Sequence, residues 1–495
     1  MTRIHCSRSI ATTIVALLVL AVVPPVHAQG TSDVLLRLLR ILRDRGSITA
    51  DEYEELRLAA ATPAPEGTAA ARPALAAAAA EPPGQPATVL ASTDALAARV
   101  QALENQAAKD SSEVVKKALA NKWYERFGLR GYTQFRLSEV AQGEGEELEV
   151  PADRSVNAAE TLMIRRGRFV LSGDVTDHLS LYAQTDFNAS TGAPDFSLQM
   201  RDLYADLSLD KSKAWRVRMG QSKVPFGWVN LQSSQNRAPL ERPDAINSAV
   251  EGERDLGAYL MWASPQARGR FRDLVGQGLK GSGDYGVFAV GAYSGQGLNR
   301  ADQNGDPHVL ARASYPFKLS SGQFLELGVQ GYHGRFVPQT QAIPLGGGSV
   351  TPSRPDEGVV DERVAFTAVW YPQPFGVETE WNLGRGPELS DDGTRVESRS
   401  LQGGYLQFNY RQAKAGMPLF PFVRWQYYDG GRKFARNAPH SNVNEMDVGL
   451  EFARWSELEL TVVYSHTFER TRTSVFPYGS AKGANRVGFQ AQWNY

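Results

Sequence analysis

The sequence predicts an all-β fold: a transmembrane antiparallel β-barrel of about 16 strands, preceded by a short helical or coiled-coil leader in the periplasm. Three observations predict it: the pattern of the last nine residues, the character of the first 28, and a composition rich in glycine and aromatic residues. They come from both ends of the chain and from its whole length, so they are independent of one another.

The last nine residues alternate between apolar and polar side chains. The odd positions hold Val487, Phe489, Ala491, Trp493 and Tyr495, and the even positions hold glycine, glutamine and asparagine. Such a repeat gives a strand one apolar and one polar face, because successive side chains of a strand point to opposite sides. A chain that ends on an aromatic residue of the apolar face is typical of the last strand of an outer-membrane barrel.

Residues 1–28 have the features of a secretory signal peptide. Arg3 and Arg8 precede an apolar run from Ile10 to Val23, and the segment ends on Val-His-Ala at 26–28, with small residues at the cleavage positions. The apolar run is too short to be kept as a membrane span, and no later run reaches about 18 apolar residues. The single cysteine, Cys6, leaves with the signal, so we expect neither a disulfide nor a thiolate ligand in the mature chain.

The composition fits an aromatic-rich barrel with polar loops. The chain has 46 Gly, 21 Phe, 18 Tyr and 9 Trp, yet its mean hydropathy is only −0.35. The formal net charge is −1. It falls to −3 without the two signal arginines, because 51 basic and 54 acidic residues remain. This balance gives no electrostatic support to nucleic-acid binding.

The mature chain divides into four segments. Residues 29–60 predict a short pair of helices, and residues 61–90 form a linker rich in Ala and Pro. Residues 91–122 predict an amphipathic helix, which suits either a trimeric coiled coil in the periplasm or a single helix packed on another surface. Residues 123–495 change to a period of two and predict the barrel.

Within the barrel region, short turns alternate with long polar stretches, which is the asymmetry of bacterial outer-membrane barrels. Residues 224–254 are too many for an unstructured connection and include apolar anchors, so we expect this segment to pack inside the barrel. Residues 264–283 fall where a short turn is expected, but they are long and basic. The pattern gives no reason for this second segment.

The alternation assigns Phe169 and Leu171 to the lipid face and places strand arginines in the lumen. A Lys or Arg facing lipid at the bilayer midplane costs roughly 2 to 4 kcal/mol. A slip of one residue would reverse any single assignment, so the prediction concerns the group. The residues expected to line the pore and bind anions are Arg130, Arg136, Arg166, Arg168, Arg216, Arg218, Lys223, Arg237, Arg242, Arg254, Arg312, Arg424 and Arg486.

Three motifs carry a resemblance to a known family. They are Leu-Met-Ile-Arg-Arg-Gly-Arg-Phe-Val-Leu-Ser-Gly at 162–173, Arg-Asp-Leu-Tyr-Ala-Asp-Leu at 201–207 and Gly-Gln-Ser-Lys-Val-Pro-Phe-Gly at 220–227. Through them the region from Phe127 to Tyr495 resembles the phosphate-selective porins O and P. The resemblance implies a sixteen-stranded trimeric porin in which inward-folded loops narrow the pore and arginines and lysines conduct anions.

The function we predict is passive diffusion of small anions across the outer membrane, with phosphate or related oxyanions foremost. Arginine suits this task because its planar guanidinium matches two oxygens of an oxyanion. The expected partners are inorganic phosphate or other small anions, outer-membrane lipid, further copies of the chain in a homotrimer, and peptidoglycan at the N-terminal leader. We expect no cofactor, no metal site, no catalytic residues and no enzymatic activity.

Two alternatives stay open. The lumen is also predicted to carry acids, and cross-strand ion pairs on a wet wall would make the chain a general diffusion porin with weak ion selectivity. The barrel could instead anchor its leader as a periplasmic cell-wall tether. The acids predicted to face the lumen are Asp174, Asp186, Asp202, Asp206, Glu378, Glu380, Glu445, Asp447, Glu451 and Glu459.

Overall fold

The structure, a computed structural model, describes residues 123–143, 148, 161–188, 196–345, 347–412, 418–472 and 482–495. The predicted signal peptide, helical pair, linker and amphipathic helix, residues 1–122, lie outside the described residues. In the described part of the chain, no helix has the length and apolar character needed to cross a membrane.

Sixteen antiparallel strands close into one barrel, which confirms the predicted fold class and strand number. The strands are β1 Phe127–Gly143, β2 Thr161–Asp174, β3 Leu179–Asn188, β4 Ser197–Ser208, β5 Trp215–Lys223, β6 Arg254–Trp262, β7 Phe288–Tyr293, β8 His308–Lys318, β9 Phe324–Phe336, β12 Val359–Trp370, β13 Phe375–Leu389, β14 Val396–Tyr410, β15 Leu419–Gly431, β16 His440–Trp455, β17 Leu458–Arg472 and β18 Lys482–Asn494. Consecutive strands of this set pair with each other, and β1 closes the barrel against β18. A separate hairpin of β10 (Ile343–Leu345) and β11 (Gly348–Val350) lies in the connection between β9 and β12.

The two ends of the barrel differ in their connections. We name the end where β1 begins the turn end, because β2–β3 and β4–β5 are joined there by short turns. The opposite end is the loop end. It carries the connection between β5 and β6, residues 224–253, which we name L3. The turn end carries the long connection between β6 and β7, residues 263–287, which we name the turn segment.

Three α-helices occur among the described residues, all in these two long connections. L3 contains α1 (Trp228–Leu231) and α2 (Asp244–Asn247), and the turn segment contains α3 (Pro265–Gly276). The side chain of Ser264 caps α3 by accepting a hydrogen bond from the Ala267 N–H, and proline at the first helical position fits the fixed φ of that site.

Alternation along the strands separates an outer apolar face from a polar lumen, as predicted. Phe169 and Leu171 are 50% and 47% exposed on the outer face, whereas Arg166 and Arg168 are buried inside. A β-bulge in β2 changes this pattern locally. Gln134 pairs with Arg166 but the next residue pairs with Ile164, so Arg165 is the extra residue of the bulge and also turns inward.

L3 packs inside the barrel, as the sequence predicts. Its residues Val224, Phe226, Trp228 and Ile246 are almost completely buried. They pack on apolar side chains that point inward from β6 to β12. The motif glycine Gly227 permits this entry, because its φ is 80° and an added Cβ would lie 2.6 Å from Ile246 Cγ2.

The turn segment also folds into the lumen, which explains its length. Ala267, Phe271 and Leu274 of α3 are buried in the same apolar cluster as Trp228 and Ile246 of L3. A connection from the turn end and a loop from the loop end therefore share one hydrophobic core inside the barrel. The turn segment is a plug rather than a turn.

Replacing Phe271 by Ala is expected to loosen this shared core and raise the single-channel conductance. A buried Phe→Ala change costs about 3 to 5 kcal/mol because it removes buried apolar surface and leaves a cavity. Conductance in planar bilayers measures the effect. Phe288→Ala is the matched control, because Phe288 lies on the outer face and is 54% exposed. Equal conductance of the two variants would contradict a plug that narrows the lumen.

Candidate pore constriction

L3 is fastened to the barrel wall at several points along its length. The indole Nε1 of Trp228 donates to Glu326 of β9 at 3.2 Å, and the Ser234 hydroxyl lies 2.6 Å from the hydroxyl of Tyr132 on β1. Arg363 of β12 donates to a carbonyl of α2 at 3.3 Å. Because β1 and β12 lie on different sides of the barrel, L3 crosses the lumen.

Glu241 of L3 lies at the centre of three guanidinium groups. Its carboxylate is 2.8 Å from Arg136, 2.9 Å from Arg165 and 2.7 Å from Arg166. Burial raises the pKa of Glu241, but the surrounding guanidinium groups lower it more, so the pKa is held well below its usual range. The carboxylate therefore stays ionised at neutral and mildly acidic pH, and this anchor is lost only when the pH falls to the depressed folded-state value.

Glu253, at the other end of L3, is a second such centre. Its carboxylate is 3.0 Å from Lys223, 3.2 Å from Arg242 and 3.5 Å from Arg237, and it also contacts Arg254. Burial raises the pKa of Glu253, and the neighbouring cations hold it well below its usual range. Lys223 is the last residue of β5, and Arg254 is the first residue of β6. Their ion pairs with Glu253 therefore connect both flanking strands to L3.

Two carboxylates of the strands complete the arrangement. Asp186 is 3.1 Å from Arg168, and Asp202 is 3.0 Å from Arg254. Arg201 lies 3.9 Å from Asp186 and donates to a backbone carbonyl of L3 at 2.9 Å. Like Arg165, it is the extra residue of a bulge, here in β4. Strict alternation overlooks Arg165 and Arg201, and a bulge leaves no signal in a period of two.

These groups form one cationic cluster on the β1–β6 side of L3. Nine basic residues meet four acidic ones, so the cluster has a formal excess of five positive charges. The basic members are Arg136, Arg165, Arg166, Arg168, Arg201, Lys223, Arg237, Arg242 and Arg254, and the acidic members are Asp186, Asp202, Glu241 and Glu253. Arg237 is buried, and within the described chain its Nε and Nη1 have no hydrogen-bond partner.

Seven of the thirteen predicted residues are in this cluster, and five others form separate ion pairs along the wall. Arg218 pairs with Asp206, and Arg424 with Asp447, each directly opposite its partner in strand register. Arg216 pairs with Asp284 of the turn segment. The remaining pairs are Arg312 with Glu326 and Arg486 with Glu445.

Arg130 differs from the other twelve. It pairs in register with Val170, whose side chain points inward and is 1% exposed, so Arg130 faces the lumen near the turn end. Its side chain is exposed, and no partner is found for it among the described residues. Its exposed side chain therefore makes it a candidate contact for a solute in the lumen.

The predicted acids also face the lumen. Those outside the cluster follow mainly the wall from β13 to β17, and there Glu378, Glu380, Glu445, Asp447 and Glu451 are buried. The cationic cluster and this acidic wall thus belong to different parts of the barrel. The lumen carries an uneven distribution of charge, and L3 lies between the two regions.

A closed sixteen-stranded barrel, apolar outside and charged within, is the architecture of a porin channel. The chain belongs to the phosphate-selective porin O and P family, whose model matches residues 146–494. Family membership makes it a porin of the bacterial outer membrane, a channel rather than an enzyme. No curated protein matches the sequence.

Several solved structures are similar to this chain at low sequence identity. The outer membrane channel DcaP of Acinetobacter baumannii is 16% identical, with 74% of this chain and 97% of that chain covered and a TM-score of 0.46. Salmonella typhi OmpF is 12% identical, with 74% and 97% covered and a TM-score of 0.47. The anion-selective porin from Comamonas acidovorans is 11% identical, with 74% and 99% covered and a TM-score of 0.41.

Replacing Glu241 by Gln is expected to release L3 from the wall. The change leaves three buried guanidinium groups without their carboxylate, and breaking a buried ion pair costs about 3 to 5 kcal/mol. We expect a larger and noisier single-channel current than in the unchanged protein. Glu251→Gln is the matched control, because Glu251 lies on L3 but is partly exposed, 3.4 Å from Arg300. A quiet, unchanged current in Glu241→Gln would show that Glu241 does not anchor the loop.

Proposed function

We propose that this porin conducts small anions by passive diffusion past the cationic cluster, with phosphate and related oxyanions foremost. The observation that carries the proposal is the excess of five positive charges around L3, the loop that crosses the lumen. An anion in this part of the lumen is attracted by the excess charge, and arginine forks suit the paired oxygens of a phosphate.

The carboxylates of the cluster support conduction rather than trapping. An ion must bind well enough to enter and weakly enough to leave. Glu241 already occupies the donors of Arg136, Arg165 and Arg166, so a passing anion competes for them and is not held by all at once. Several moderate sites in sequence result, in place of one deep site.

A general diffusion porin with weak ion selectivity is the second candidate. It is favoured by the wall pairs Arg218–Asp206 and Arg424–Asp447, in which opposite charges face each other in register. Such pairs have no net charge, so they attract a passing ion only weakly. The acidic wall from β13 to β17 would then attract cations while the cluster attracts anions, and the two preferences would largely cancel.

Replacing Arg166 and Arg168 by Gln is expected to lower the ratio of anion to cation permeability at least about twofold for each charge removed. Two unit charges about 8 Å apart interact by about 0.5 kcal/mol even at the dielectric constant of water. The reversal potential across a KCl gradient measures the ratio, and block of the chloride current by added phosphate measures oxyanion binding.

The control for these variants is Arg385→Gln. Arg385 lies on the outer face, where its side chain is 57% exposed and 2.7 Å from Glu362. We expect the control to keep the selectivity and phosphate block of the unchanged protein. If the unchanged protein shows weak selectivity and no phosphate block, the general diffusion porin replaces the anion channel. If the unchanged protein is anion-selective and the Arg166 and Arg168 variants keep the same selectivity and phosphate block as the control, the cluster does not select.

We also propose that the porin is a homotrimer whose N-terminal leader lies in the periplasm and reaches peptidoglycan. The support is the heptad-like spacing of residues 91–122. Deleting residues 31–120 tests it. Loss of the trimer on native gels, with conductance unchanged, is expected for a coiled coil, and a weakened envelope with an intact trimer is expected for a tether. An intact trimer in an intact envelope would contradict both roles.

A further inference from the structure

A row of four lumen-facing positions lies beside the cationic cluster, toward the turn end. Gly128 pairs in register with Ser172, Ser172 with Tyr182, and Tyr182 with Tyr204. Two of these neighbours are small and two are aromatic. The row therefore places an open stretch of wall directly beside a pair of rings.

The two rings are stacked on each other. The centroids of Tyr182 and Tyr204 are 5.0 Å apart, and their planes differ by 12°. The Arg218 guanidinium lies 4.0 Å from the centre of the Tyr204 ring and 5.4 Å from that of Tyr285, which comes from the turn segment. Tyr204 thus contacts both a ring and a cation. Tyr182 contacts Tyr204 on one side and is partly exposed to the lumen.

On its other side, Tyr182 borders a recess. The next two positions of the row are Ser172 and Gly128, and neither carries a ring. Among the described residues, a Cβ added at Gly128 would meet nothing within 4 Å. Two strand spacings amount to about 10 Å, which is wide enough for one further ring at the usual stacking distance of about 4.5 to 7 Å between centroids.

Hydrogen-bond donors lie one row above this recess. Arg130 and Gln184 stand on either side of Val170 in register, and both face the lumen. Arg130 is exposed and has no partner among the described residues. Gln184 is 5% exposed, and its Oε1 accepts a hydrogen bond from the Tyr182 hydroxyl at 3.0 Å, while its Nε2 has no partner within the described chain.

The nearby acids have partners other than these donors. Asp174, two residues beyond Ser172, pairs with Lys213 at 3.2 Å. Asp202 stands beside Gln184 in register but pairs with Arg254. Asp206, one row below, pairs with Arg218 through two hydrogen bonds of 2.8 Å. Within the described chain, the Arg130 cation and the buried Gln184 Nε2 thus both lack a partner in the row above Tyr182. Phosphate would use the donors and leave the ring without a partner.

We propose that this recess, formed by Gly128, Ser172 and Tyr182 beneath Arg130 and Gln184, is a binding subsite for aromatic carboxylates. The ring stacks on Tyr182, and the carboxylate accepts hydrogen bonds from Arg130 and from Gln184 Nε2. The proposal rests on the proposed anion conduction and names an organic class of substrate for it. It places the subsite on the turn-end side of the cationic cluster.

Two carboxylates of equal charge and similar size separate ring stacking from simple anion binding. Benzoate and cyclohexanecarboxylate are added in turn, and the concentration that halves the single-channel chloride current is measured for each. In the unchanged protein we expect benzoate to act at a concentration about three- to tenfold lower, the range of one ring-stacking contact. Equal concentrations would overturn the subsite.

Two variants locate the effect. Ser172→Leu fills the recess and is expected to abolish the difference between the two carboxylates, whereas Ser172→Ala leaves the recess open and is expected to retain it. Arg130→Gln is expected to weaken both carboxylates about tenfold, as loss of a charged hydrogen bond would, and Arg385→Gln on the outer face to weaken neither. A benzoate preference that survives in Ser172→Leu would overturn this location.

The failure of this proposal is distinguishable from the failure of anion conduction. The same membranes, under a KCl gradient without carboxylates, give the ion selectivity of the channel. An anion-selective channel that treats benzoate and cyclohexanecarboxylate alike overturns the subsite and leaves the proposed function intact. A channel without anion preference overturns the proposed function itself. Block by glucose 6-phosphate in place of benzoate would assign the recess to sugar rings and overturn the aromatic class.

Discussion

The attachment of L3 by its two carboxylates, Glu241 and Glu253, is the interaction on which the inner structure of this porin depends. The acids belong to the loop, while most of the cations around them belong to the wall. Five of these seven ion pairs therefore hold loop to wall, and because there are fewer acids than cations, the same pairs leave positive charge in excess beside the loop. Fastening the loop and charging the lumen are two consequences of one arrangement.

L3 has an apolar side and a polar side, which face opposite parts of the barrel wall. On the β6–β12 side, Phe226, Trp228 and Ile246 bury apolar surface against the wall and against α3. On the β1–β6 side, the loop meets the wall mainly through charged and neutral polar groups. Burial of apolar surface excludes water from the first side. The charged side lacks this apolar packing, and it is the side on which the solute path that we propose meets the cluster.

The sequence predicts the barrel and most of its inward-facing arginines, and the prediction fails at a few identifiable residues. Period-two alternation suffices for sixteen strands, for their faces and for the group of inward arginines, because a lipid face excludes charge. It fails at Arg165 and Arg201, since a bulge inserts a residue without altering composition. It also fails at α3, because the buried residues of α3 follow a helical spacing and not a period of two. The alternation also does not predict the roles of Glu241 and Glu253 in L3, because a loop has no repeat that indicates the direction of a side chain.

The difference between the paired wall and the cluster is one of range. A pair such as Arg424–Asp447 is neutral, so its electrostatic field decays within a few ångströms and attracts a passing solute only weakly. The cluster has a net charge, and its field reaches about 8 to 10 Å at physiological ionic strength. Among the described residues, twelve of the thirteen predicted cations have acidic partners, and the group beside L3 has five more cations than acids. The selection by charge that we propose therefore lies at the level of the loop, and Arg130 adds a lumen-facing cation nearer the turn end that has no acidic partner among the described residues.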